Sequence, residues 1–216
     1  MISTAPGRKN RLVELAREIV GAGHPVIAVE DTDRSCQRNH WRCLEMGLRV
    51  GSGYFAILED DVIPAPGAID YVARWPYEKF PSLLLTAWFD QLYGADAPYT
   101  LHTRDCRDFL YSQAVTYSTM AARQCLRSPL VEKHDHPHNG DGLVSRILAG
   151  QRYGIHVPNL FQHTGTLSLT LPGRGTPISA TFPPEPEFHA SHLGDRVWQS
   201  ALRRMGRAVS GEISGP

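Results

Sequence analysis

Apolar positions in the first sixty residues fall into three short runs separated by two longer amphipathic stretches. "Ile2-Ser3-Thr4" reads as the end of a strand, and "APGR" at 5–8 has the chemistry of a turn. Leu12, Val13, Leu15, Ala16, Ile19 and Val20 recur at helical spacing, and "GAGHP" at 21–25 stops that helix with glycine before proline. "VIAVE", 26–30, predicts a buried strand running into the acidic "EDTD". Trp41, Leu44 and Leu48 mark one face of a second helix, closed by Gly51-Ser52-Gly53, and "YFAIL", 54–58, is the next strand. Short apolar strands alternating with helices predict an α/β fold, a mostly parallel, Rossmann-like sheet covered by helices. Right-handed crossovers bring the strand C-termini to one edge, where open α/β sheets bind ligands. The polar clusters "STAPGR", "EDTDR" and "EDD" are expected to share that edge.

Further along, the pattern predicts a short helix in "GAIDYVARW", an apolar strand over 82–89, and a polar stretch without clear period over 90–108. A strand over 109–118 and a helix in "TMAARQCLRS" follow, then the histidine-rich "KHDHPHNG" and a helix in "DGLVSRILAG". "YGIHVPNLFQHTGTLS" reads as a strand, a proline and a polar turn. From Leu171 the chain is rich in Pro, Gly, Ser and Thr, which predicts an extended tail over 171–216 with an amphipathic helix at 195–209. One catalytic domain is expected over 1–170, its donor half at about 1–90 and its acceptor half at about 91–170.

Composition adds exclusions. With 216 residues, 42% hydrophobic and 20% charged, the chain matches an ordinary globular protein. Its 22 basic and 22 acidic residues cancel, so no long-range field gathers nucleic acid, and any such binding needs a local patch. Charges interrupt the apolar residues of the N-terminus, and a cytoplasmic location without a transmembrane segment is expected. Cys36, Cys43, Cys106 and Cys125 form no C-x-x-C pair and read as reduced, partly buried thiols.

The candidate chemistry centres on "LEDD". Glu59, Asp60 and Asp61 leave a buried strand together, and adjacent carboxylates raise one another's pKa unless a cation or hydrogen-bond donors hold them ionised. Two readings stand: an acidic turn that caps the next helix, or a grip for a hard divalent cation that takes one or two carboxylates and lets substrate phosphates complete its shell.

The ordered set "ISTAPGR", "GAGHPVIAVED", a helix carrying Asn39, and "YFAILEDDVIPAPGAIDYV" resembles the donor-binding half of GT-A glycosyltransferases, with "EDD" as the DXD-type motif. "YSTMAARQCL", "DGLVSRIL" and "VPNLFQHTGTLS" are similar to acceptor-side elements of the same superfamily. "PNLFQHTGTLS" resembles N-acetylglucosaminyltransferase IV-type domains, and "LEDDV" the lipopolysaccharide-type galactosyltransferases. The resemblance implies transfer of a sugar from a nucleotide-diphosphate sugar, with UDP as the nucleotide, to an acceptor hydroxyl, with Mn2+ or Mg2+ and inversion. It implies Asp61 and His163 as metal ligands. It assigns Thr4, Arg8, Asp31, Asn39, Glu59 and Asp60 to the donor, and Asp141 to the role of catalytic base.

Each residue has a plainer role open to it. His163 reads equally as a turn cap, Arg8 as a solvated helix-start residue, and Asp141 as a helix N-cap. His134, His136 and His138 read as an acceptor-side loop or a zinc site. Competing functions are a nucleotidyltransferase, a non-catalytic nucleotide-sugar or glycan-binding protein, and a transferase acting on a hydroxylated base in DNA.

Overall fold

Cβ atoms alternate across a strand, so a strand apolar on both faces needs helices on both sides. The computed structural model, which describes residues 1–5, 9–51, 53–75, 83–87, 100–109, 113–133, 140–157, 159–163 and 182, meets that need. The elements are β1 (Ile2–Thr4), α1 (Lys9–Gly21), β2 (Ala28–Glu30), α2 (Cys36–Val50), β3 (Tyr54–Glu59), β4 (Val62–Pro64), α3 (Ala68–Ala73) and β5 (Leu83–Ala87). Then come β6 (Thr100–Asp105), a 3-10 turn (Cys106–Asp108), β7 (Ala114–Ser118), α4 (Thr119–Arg127), α5 (Leu130–Lys133), α6 (Gly140–Ile147), β8 (Arg152–Val157) and β9 (Phe161–His163).

Local chemistry sets the helix ends. Ser35 accepts a hydrogen bond from the Arg38 amide at 3.3 Å and opens α2, while Gly51 closes it at φ 77°, a left-handed conformation that costs glycine little. Ser118 opens α4 in the same way, accepting from the Ala121 amide at 3.1 Å.

Seven strands form the main sheet in the order β2-β1-β3-β7-β5-β8-β6. β2, β1, β3, β5 and β8 run one way, so the sheet is mostly parallel as expected. β7 and β6 run the other way, pairing antiparallel with β3, β5 and β8. The stretch 90–108 is corrected in part: Thr100–Asp105 is strand β6, which pairs with β8 alone at the sheet edge. A strand covered along one edge only has no reason to carry the apolar run by which strands are recognised. Asp60 and Asp61 form a turn, and the residues after them form a strand, not a helix: β4 pairs antiparallel with β9, Val62 opposite His163 and Pro64 opposite Phe161. Proline is tolerated there because this two-stranded sheet is all edge.

The core lies in two layers. On one face Ile2, Leu58 and Ala114 of the sheet pack with Leu15 and Ile19 of α1 and Ala68 and Val72 of α3, and Phe182 joins from the far chain. On the other, Ile57, Val115 and Tyr117 pack with Trp41 and Leu44 of α2, Cys125 of α4 and Leu143 of α6. Successive residues Ile57 and Leu58 therefore serve opposite layers. Burying each contributes about 1.5–3 kcal/mol. All four cysteines are free, with Cys43, Cys106 and Cys125 buried and Cys36 half-buried. Among the described residues no helix is long and apolar enough to cross a membrane. Apart from Phe182, the tail expected over 171–216 lies outside the described residues, as do Arg8 and the histidines 134, 136 and 138.

Candidate metal centre

The ends of β1, β2 and β3 stand abreast. The Asp31 amide donates to the Thr4 carbonyl at 2.9 Å, the Asp60 amide to the Ser3 carbonyl at 3.1 Å, and the Glu59 amide to the Gln113 carbonyl at 2.7 Å. Thr4, Asp31, Glu59, Asp60 and Asp61 are thereby gathered at one sheet edge.

The three carboxylates of "EDD" have different surroundings. Asp60 turns back toward β1, where its Oδ2 accepts from the Thr4 hydroxyl at 2.7 Å and from the Ala5 amide at 3.0 Å. Both side chains are buried, and the pair fastens the turn after β3 to the end of β1. Asp61, 5% exposed, points the other way, its Oδ2 lying 3.3 Å from His163 Nε2. The pairing of β4 with β9 makes that contact, since Val62 sits opposite His163. Glu59 completes the group: one ligand atom each from Glu59, Asp61 and His163 lies within 4.8 Å of the others.

Two carboxylates and an imidazole at that spacing suit a divalent cation. Ligand atoms on one octahedral ion with bonds near 2.1 Å lie about 3.0 Å apart when adjacent and about 4.2 Å apart when opposite, so these side chains would draw in on the ion and leave the remaining positions of its shell to other ligands. Carboxylate oxygens suit hard cations such as Mg2+, Mn2+ and Ca2+, and an imidazole also suits softer divalent ions. Glu59 and Asp61 repel each other at this range, which a cation relieves.

Asp31 and Asn39 shape the edge around this group. Asp31 Oδ1 accepts from the amides of Asp33 at 3.1 Å and Ser35 at 3.0 Å, folding "DTDRS" into a turn that passes through Arg34 at φ 54°. Arg42 ties the turn down through Thr32 and Asp33. Asn39, 1% exposed, donates both amide hydrogens, to Ser3 Oγ at 2.8 Å and to the Val29 carbonyl at 3.0 Å, locking α2 onto β1 and β2.

Asp141 lies in the first turn of α6, where its Oδ1 accepts from the Gly142 amide at 2.8 Å. The helix begins one residue earlier, so Asp141 is inside it and not at the cap. Gly140 sits so close to α2 that a Cβ there would meet Gln37 Cα at 3.5 Å. Burial pushes the Cys36 thiol up to about 11, and the carboxylates of Glu59, Asp31 and Asp141 add to the rise. Asp141 is carried by α6, whose first residue, Gly140, lies against Gln37 in the first turn of α2. Cys36 is the reduced, partly buried thiol that its spacing predicts.

No protein-family model matches the chain, and no curated protein matches it. Among solved structures it is similar to A197 from STIV, at 12% identity and a TM-score of 0.46, over 87% of this chain and 97% of that one. It is also similar to the inositol-1-phosphate CTP transferase from T. maritima, at 10% identity and a TM-score of 0.41, over 71% of this chain and 64% of that one. Likenesses this distant carry no argument about activity, which rests on the residues themselves.

Proposed function

We propose that this chain is a metal-dependent transferase of the GT-A glycosyltransferase type, moving a sugar from a nucleotide-diphosphate sugar to an acceptor hydroxyl. The observation that carries the proposal is the convergence of Glu59, Asp61 and His163, from two segments far apart in the chain, at the ligand-binding edge of an α/β sheet. Mn2+ or Mg2+ held there supplies positive charge for the diphosphate leaving group. Asp61 and His163 are the ligands that the resemblance names, and Glu59 joins them. Asp60, Thr4, Asp31 and Asn39 keep the edge in shape for the donor, with UDP as the expected nucleotide.

Asp141 is the proposed base. It takes the hydroxyl proton as the acceptor oxygen bonds to the anomeric carbon, the bond from that carbon to the diphosphate oxygen breaks, and its electron pair leaves with the nucleotide. Attack from the face opposite the leaving group inverts the anomeric centre. The test is a panel of nucleotide sugars with Mn2+, scored by donor hydrolysis and transfer. Asp61→Ala is expected to abolish metal-dependent turnover with the fold retained, and Asp141→Asn to bind donor without transferring. Full activity in chelator overturns the metal role, and a normal rate for Asp141→Asn removes it as base. Pyrophosphate release from a nucleoside triphosphate selects a nucleotidyltransferase instead.

A further inference from the structure

Away from the carboxylate edge, α4 presents a face with a different character. Its N-cap Ser118 pairs with Tyr54, at the start of β3, whereas Glu59 ends that strand. Five residues of strand place the two regions about 17 Å apart along the sheet. Beside α4 lies an open recess of about 780 Å³, whose walls include Met120, Arg123, Gln124, Arg127, Ser128 and Ile147. No acidic residue lines it among the described residues. Arg123 and Arg127 stand one helical turn apart, both exposed, and neither has a carboxylate partner among the described residues. In a chain whose basic and acidic residues balance at 22 each, two guanidinium groups with no carboxylate partner among the described residues make a local positive field on one wall.

The geometry points to a second, metal-independent binding site for an organic diphosphate, with Arg123 and Arg127 as its phosphate grips. Side chains four residues apart on a helix begin about 5–6 Å from each other, a spacing that suits two linked phosphates. Each guanidinium offers a planar fork that matches phosphate oxygens in pairs, which an ammonium does not. The Ser128 hydroxyl accepts from the Leu130 amide at 3.3 Å and keeps its own hydrogen for a ligand oxygen. Gln124 is held in place by Ile147 and Gln151, its Oε1 accepting from Gln151 Nε2 at 2.6 Å. Met120, 67% exposed, and Ile147 add an apolar surface for the organic part of the ligand. The inference is independent of the catalytic proposal, because the recess shares no residue with the metal centre.

Inorganic pyrophosphate is the probe, titrated into the full chain in chelator so that the carboxylate edge carries no cation and repels it. Saturable broadening of the pyrophosphate phosphorus resonance is expected, weakening with added salt. The double variant Arg123→Ala, Arg127→Ala is expected to bind at least tenfold more weakly, and Lys at both positions to restore part of the affinity. Both arginines are exposed, and an unchanged circular dichroism spectrum confirms that the double variant is folded. An identical titration in that variant, or no saturation in the parent, overturns the site. Competition by duplex DNA that strengthens with duplex length overturns the diphosphate in favour of a polyanion track.

Discussion

Removing the Asp60 carboxylate takes away the one oxygen shared by the Thr4 hydroxyl and the Ala5 amide. A buried donor left without its acceptor costs about 1–3 kcal/mol, and the half-buried Ala5 amide less than the buried Thr4 hydroxyl, so Asp60→Ala is expected to lose roughly 2–4 kcal/mol in urea unfolding without metal. Its neighbour predicts the opposite. Asp61 is buried beside His163 and the Glu59 carboxylate, so without a cation its contact with His163 is offset by repulsion from Glu59. Asp61→Asn should therefore unfold close to the parent without metal, yet lose the stabilisation that Mn2+ confers. If the two variants cost equally in chelator, the division between a structural Asp60 and a ligating Asp61 is wrong. That division is invisible in the letters "EDD". Which carboxylate faces β1 and which faces β9 depends on strand pairings made with residues at either end of the chain. The carboxylate run was legible as a cation grip from its residue types, whereas the choice of Asp61 within it, and His163 as its partner, came through resemblance.

Helix α2 carries two element-scale tests, both where it meets the sheet. Gly47 is buried against β3, and a Cβ there would overlap Cδ2, Cε2 and Cζ of the Phe55 ring, itself stacked on Tyr117. Alanine gains about 1 kcal/mol in helix propensity, but overpacking costs about 1–3 kcal/mol. Gly47→Ala is expected to be destabilised by about 1 kcal/mol, with Phe55→Leu recovering part of the loss in a double-mutant cycle. Two turns earlier, His40 Nε2 lies 2.8 Å from the Tyr117 hydroxyl. Burial pushes His40 down to about 4, partly opposed by the Asp141 carboxylate. From pH 6.5 down to 4 the unfolded chain takes up a proton that folded His40 refuses. His40 therefore favours folding fully above pH 6.5, and that contribution, about 3 kcal/mol at most, is lost as pH falls toward 4. His40→Gln should flatten the difference between urea titrations at pH 7 and pH 4.5, and an unchanged slope would show that His40 is already charged in the fold. The elements that meet here were readable because α2 has a full apolar face and β3 is apolar on both sides. β6 was not, since "TLHTRD" pairs on one side only, and three-residue strands such as β4 leave no period to read.

At the scale of the whole molecule, the proposed cation joins segments that the chain keeps far apart: β3 and the turn after it supply Glu59 and Asp61, and β9 supplies His163. The two-stranded sheet β4–β9 is the hinge of that arrangement, and an isolated pair of three-residue strands is marginal without further support. Metal binding should therefore stabilise locally as well as globally. At a hundred times its Kd, Mn2+ adds about 2.7 kcal/mol, which for a domain of this size raises Tm by roughly 5–10 °C. Hydrogen exchange gives the sharper reading. The amides of Val62, Ile63 and Phe161–His163 are expected to slow on adding Mn2+ by more than those of β6 at the far sheet edge, because only the former are fastened by the ligands. Asp61→Asn should remove both the Tm rise and the local protection. Slowing of the same size in β6, or protection that persists in Asp61→Asn, would mean that the cation sits elsewhere. In that case the carboxylates of "EDD" are held by the turn alone, and the proposed transferase loses its metal.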